Sequence, residues 1–201
     1  MSVPLKSTKN IQASLHLKVA IVWLIACVVM FIYALFTDPL LLLFAVPFSA
    51  IALGFLWISI KPFLVLRKIS PAEVILSVDK PRVGERFIIF SRQTAVSPIS
   101  ILDHTLTLVF REWATETRGT DTTTETESTV IHMHSYGPMQ KNTGEVIERQ
   151  WEVQIPSDAM HSFEGRKNRL HWVIQTKVTL AGWPAYEDEF VFMVAPERVE
   201  E

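Results

Sequence analysis

The chain holds a single cysteine, Cys27, and it lies inside a long apolar run. An intrachain disulfide is therefore excluded, in agreement with a reducing compartment. Thiol nucleophiles are excluded with it, and no Gly-x-Ser-x-Gly elbow stands elsewhere. The seven glycines never fall into a GxxxxGK or GxGxxG pattern, so no phosphate loop can be assigned. Metal motifs of the HExxH or paired CxxC type are missing as well. Together these gaps argue for a protein that is not an enzyme and that carries no cofactor. The last absence is charge itself, which is missing from Val19 to Phe36 and from Leu40 to Ile60.

Those two runs are the strongest positive signal. Each is long enough as a helix to cross a hydrocarbon core of roughly 30 Å, and only Thr37, Asp38 and Pro39 separate them. A transmembrane helical hairpin over residues 18–60 is expected, with a kink at Pro47. The first run is too long for a signal peptide and has no small-residue cleavage site before Asp38. Residues 1–17 lack periodicity and read as a tail, and residues 61–71 mix apolar and basic side chains as a juxtamembrane segment does.

The net charge of −2 conceals two unlike parts. Lys6, Lys9, Lys18, Lys61, Arg67 and Lys68 face one acid, Asp38, up to Ile69, leaving thirteen basic and twenty acidic residues from Ser70 onward. An acidic domain is a poor match for phosphate backbones, so nucleic acid is not an expected partner. All six basic residues lie outside the hairpin loop, which places both termini and everything after the hairpin on the cytoplasmic side of a bacterial inner or cell membrane. Lys18, Trp57, Lys61, Arg67 and Lys68 are the expected membrane-interface residues, and the lipid bilayer is the first expected partner.

From Pro71 the chain changes to short β-rich runs separated by turn residues. Strands are expected at Glu73–Asp79, Glu85–Arg92, Ser100–Thr115, Ser128–Tyr136, Glu145–Ile155, Arg169–Leu180 and Asp188–Val194. Their apolar residues alternate, as in Trp151, Val153 and Ile155 or Phe190, Phe192 and Val194. Seven antiparallel strands over residues 72–196 fit one Ig-like sandwich, followed by a tail at 197–201. Thr115–Ser128, nearly free of apolar side chains, reads as a long acidic loop.

Within this domain WEVQIP, SDAMHSFEG and RKNRLHWVIQTKV follow one another from Trp151 to Val178. On Pro156, Ser162, Phe163, Gly165 and Trp172 the stretch resembles the arrestin-like fold, and Lys80–Glu85 resembles the turn before its second strand. Met160 and His161 stand where prolines often precede the Ser-Phe pair. The resemblance implies a membrane-anchored, all-β arrestin-like sandwich with adaptor or scaffold work. Arrestins carry two such sandwiches, so the phosphate-sensing polar core between them is not carried over.

Few residues offer chemistry. His132 and His134 lie on one strand face about 7 Å apart, close enough to share a metal if His104, His161 or Asp103 supplied a third ligand. Asp103 and His104 point to opposite faces and cannot cooperate as a catalytic pair. Arg166, Lys167 and Arg169 form the densest positive cluster of the domain and could meet anionic headgroups or an acidic partner. Trp183 and Tyr186 belong to an aromatic turn that either anchors a partner or folds inward. The expected function is a non-enzymatic interaction or scaffold module, with a membrane or cytoplasmic protein as partner and self-association through sheet edges as a further option. A metal-binding protein using His132 and His134, or an accessory subunit acting through its hairpin, are the alternatives.

Overall fold

The computed structural model describes residues 3–7, 9–37, 39–118 and 121–197. Met1, Ser2, Thr8, Asp38, Gly119 and Thr120 of the expected acidic loop, and the last four residues of the expected C-terminal tail lie outside them. The chain divides into a helical unit, Lys9–Val65, and a β unit built from the residues on either side of it.

In the helical unit α1 (Lys9–Phe36) is joined to α2 (Leu42–Val65) by a 3-10 turn at Pro39–Leu41. The spans Leu15–Phe36 and Leu42–Val65 are long and apolar enough to cross a membrane. Alanines let the helices approach: Ala20, Ala34, Ala45 and Ala52 are buried, and Trp23 meets Phe55 with ring centroids 6.0 Å apart. The other faces leave Val22, Ile25, Phe44, Leu43 and Ile58 exposed. Helix α2 also runs through Lys61 and Pro62 to Val65, so the expected juxtamembrane segment begins as helix.

The β unit contains the seven expected strands and three short ones. These are β1 (Val3–Pro4), β2 (Glu73–Leu76), β3 (Arg86–Thr94), β4 (Ile99–Arg118), β5 (Asp121–Tyr136), β6 (Met139–Lys141), β7 (Val146–Gln154), β8 (Phe163–Glu164), β9 (Asn168–Leu180) and β10 (Tyr186–Phe192). A four-stranded sheet has the order β1-β2-β3-β7, and a six-stranded sheet the order β10-β9-β4-β5, with β6 beside β4 and β8 beside β9. All pairings are antiparallel. The sheets face each other across Phe87, Ile89, Leu106, Leu108, Trp172, Ile174 and Phe190, all buried, with Phe87 edge-on to Phe192.

Two expectations are corrected. The described residues of Thr115–Ser128 are no loop: Thr115 pairs with Thr124, Glu116 with Thr123 and Arg111 with Ser128, extending β4 and β5 as a ribbon. Threonine is β-branched and favours strands, and a ribbon solvated on both faces shows no apolar alternation. Nor do the described residues of 1–17 form a tail. Val3 and Pro4 pair with Leu76 and Ile75, the Leu5 amide donates to the Val74 carbonyl, and α1 begins at Lys9.

The N-terminal strand and the segment after α2 are tied by one buried network. Ser7 Oγ donates to Asp188 Oδ1 at 2.6 Å, Tyr186 Oη donates to Asp188 Oδ2 at 2.9 Å, and the Ala72 amide donates to Tyr186 Oη at 2.7 Å. Burial pushes the Tyr186 hydroxyl well above its ordinary pKa, so it remains a donor. Tyr186→Phe would leave the Ala72 amide without its acceptor. The expected loss is about 1–3 kcal/mol of unfolding free energy in detergent, and an unchanged denaturation midpoint would refute the network's role.

The Ser-Phe-x-Gly loop is likewise structural. Ser162 Oγ accepts from the Val194 amide, and the Ser162 amide donates to the Val194 carbonyl. A Cβ on Gly165 would stand 2.7 Å from the Phe163 ring, which explains the glycine.

Candidate functional site: the cleft between β5 and β7

Strand order leaves β7 at one edge of the smaller sheet and β5 at one edge of the larger. Each has one neighbour among the described residues: β3 for β7 and β4 for β5. The Gly84 amide donates to the Ile155 carbonyl, and the Ile155 amide donates to the Glu85 carbonyl. Antiparallel alternation then turns the backbone groups of Val153 and Trp151 toward β3 and those of Gln150, Glu152 and Gln154 toward the free edge. Tyr136 Oη donates to the Gln150 carbonyl at 2.9 Å, in agreement with that alternation. A cavity of about 390 Å³ follows this edge, lined by Trp151, Glu152, Val153 and Gln154 of β7, His132 and Met133 of β5, and Arg86.

Register decides which side chains face inward. His104, Leu106 and Leu108 of β4 pair with Tyr136, His134 and His132, so these three share the inner face of β5. On β7 the inner face carries Ile147, Arg149, Trp151 and Val153, opposite Thr94's neighbour Gln93, then Ser91, Ile89 and Phe87 of β3. The two walls meet in a chain of rings. His134 stacks near Trp151 at 6.2 Å and stands edge-on to Tyr136 at 4.5 Å, and the Arg149 guanidinium carbon lies 4.5 Å from the Tyr136 centroid.

Behind them the core is polar. His104 is fully buried, with Nε2 3.2 Å from Thr176 Oγ1 and its ring 5.8 Å from Tyr136. Burial first, then the positive charge of Arg149, pulls the His104 pKa down to about 4, so the ring is neutral. His104 Nδ1, Arg149 Nε, Ser91 Oγ and Gln93 Oε1 are buried without a hydrogen-bond partner. Arg149 Nη2 donates to Met139 Sδ at 3.2 Å. Arg92, Arg111 and Arg169 each pair with a carboxylate, whereas Arg149 has none among the described residues. Asp103 points away, its carboxyl held below the usual range by hydrogen bonds from Ser135 and Thr105.

The expected site residues are scattered. His132 and His134 share a face, but no three His, Cys, Asp or Glu gather as metal ligands among the described residues, and His104 is committed to Thr176. Arg166, Lys167 and Arg169 are exposed. Arg169 lies 3.8 Å from Glu164, and Lys167 lines a second cavity with Glu116 and Glu125 of the acidic ribbon. Tyr186 is buried in the network described above and offers no partner surface, a correction that follows from the inward parity of β10. Trp183 stays 42% exposed and covers the Lys68 ammonium at 4.6 Å. In the helical unit Lys61 lies over Trp57 at 5.9 Å and Lys18 is exposed; Arg67, in the β unit, is exposed as well. Sequence reasoning missed Arg149, although an arginine at the inward parity of Ile147, Trp151 and Val153 is a legible signal.

No family model matches the chain, and no curated protein matches it. Among solved structures it is similar to the crystal structure of Spo0M, sporulation control protein, from Bacillus subtilis, with a TM-score of 0.52 at 16% identity. The match covers 65% of this chain and 50% of that one, so the chain spans about half the length of that protein. The fold is a β-sandwich. Identity this low speaks for architecture alone.

Proposed function

We propose that this protein is a non-enzymatic interaction module, held in a membrane by its helical pair and presenting an arrestin-like sandwich to the cytoplasm. The carrying observation is the surface of the helices: only 17% of each span's apolar window is buried, unlike the core helix of a soluble protein. Chain connectivity supports a two-pass anchor, since strand β1 precedes the helical pair and strand β2 follows it within one sheet. The basic flanks of the spans favour the cytoplasmic side. A sandwich likeness to a protein titled a sporulation control protein is in keeping with regulation or binding.

Membranes washed at alkaline pH should retain the full chain, and a reporter active only in the cytoplasm should work when fused after Glu201. Release by the wash, or a silent reporter, would overturn the reading. Crosslinking and capture in mild detergent would then identify the partner. One observation favours a role for the helices themselves: Ala26, Ala50 and Gly54 are exposed, small surfaces of the kind on which a further helix packs. If capture fails only when the hairpin is exchanged for an unrelated one, recognition lies in the helices.

A further inference from the structure

We propose that the cleft between β5 and β7 takes an extended acidic peptide, which adds as a strand to the free edge of β7 and seats a carboxylate against Arg149. This rests on the interaction-module reading and names the ligand class of its site.

The backbone argument comes from the cavity wall. Four consecutive β7 residues, Trp151 to Gln154, line one cavity. Side chains alternate across a strand, so a space touching four in a row runs along the strand's edge and not over one face. The Glu152 amide and carbonyl point into that space by the alternation fixed at Ile155, and no strand among the described residues pairs with them. An incoming strand needs such a row of unpaired groups.

Charge selects the peptide. Where β5 and β7 face each other the inner parity carries His132, His134 and Arg149, with His104 of β4 behind them, whereas Glu148 and Glu152 of β7 have the opposite parity. Arg149 lies against Tyr136 and Met139 with Nε unsatisfied, and the fully buried His104 leaves Nδ1 unsatisfied behind it. A guanidinium without a carboxylate in a partly buried setting is a poor arrangement for stability and a good one for recognition. A glutamate or aspartate side chain of the added strand supplies the missing acceptor. The rings of Trp151, His134 and Tyr136 form the contact surface on the way in.

The test uses the full chain in detergent and fluorescent peptide pools of about ten residues, a common strand length plus ends. In one pool glutamate alternates with randomised Val, Thr or Ile; in the other glutamine replaces glutamate. The acidic pool should bind at least about tenfold more tightly, the ratio expected of a charge-assisted pair. Arg149→Gln should erase that preference. Glu152→Pro removes an edge amide that bonds no strand among the described residues, so it should abolish peptide binding and keep the far-ultraviolet spectrum. Hydrogen exchange should slow at Glu152 when the acidic pool is added. No binding up to ~1 mM, equal binding of both pools, or binding that survives Glu152→Pro would overturn the inference. Partner capture from membranes would survive such a failure, so the two readings fall separately.

Discussion

Trp172→Ala should lower the unfolding free energy of the sandwich by about 3–5 kcal/mol, the largest single-site effect expected in this chain. Trp172 is fully buried at the centre of β9, its ring centroid 5.3 Å from that of Phe110. It is also bonded, since Nε1 donates to the Met160 carbonyl at 3.1 Å. Truncation therefore opens a cavity and strips the loop before β8 of a tie to the core. Domains of this size hold roughly 5–15 kcal/mol in total, so the variant should be partly unfolded at room temperature. Denaturant titration in detergent measures this. A shift under about 1 kcal/mol would show that the core closes over the gap. Trp172→Phe keeps most of the buried ring and should cost less, leaving the Met160 carbonyl as the main loss.

The second large effect is acid sensitivity through His104. Its pKa is about 4 in the folded chain against 6.5 for a free histidine. The unfolded chain binds the proton more readily, so the stabilising contribution is complete above pH 6.5 and declines as pH falls toward 4. The shift corresponds to a loss on the order of 3 kcal/mol across that window. His171, also lowered by burial, adds in the same direction. Asp103 acts lower: its carboxyl is depressed below 3.8, so its contribution is lost only under more acidic conditions. His104→Gln retains a polar partner for Thr176 and removes the titration. Its stability should vary far less between pH 6.5 and pH 4. If variant and parent decline in parallel, His104 is not the sensor.

The main strands were legible because a half-buried strand alternates. Trp172, Ile174 and Val178 announce β9 in any window that contains them. The ribbon from Thr115 to Ser128 was not legible, because it contributes nothing to the core and so shows no apolar period. Strand β1 is two residues long, and it forms because β2 offers a free edge, which is a property of the sheet and not of Val3 and Pro4. For the candidate site, His132 and His134 stood out by residue type, yet only the pairing of β4, β5 and β9 showed that no third ligand joins them among the described residues. Arg149 takes the inward parity of β7, whereas Arg92 on β3 takes the opposite parity and meets Glu148.

What the sequence determined by itself is whatever depends on near neighbours. Charge-free runs about as long, as helices, as a hydrocarbon core is thick dictate the helical pair, and alternation punctuated by proline and glycine dictates the strands. The tertiary structure alone decided, among the described residues, which edges lack a neighbour and which arginine lacks a carboxylate, and that Tyr186 turns inward to join Ser7 and Ala72 through Asp188. Those outcomes depend on residues more than a hundred positions apart being brought within hydrogen-bonding distance. No local pattern encodes that proximity, because it follows from strand order and register across the whole sandwich.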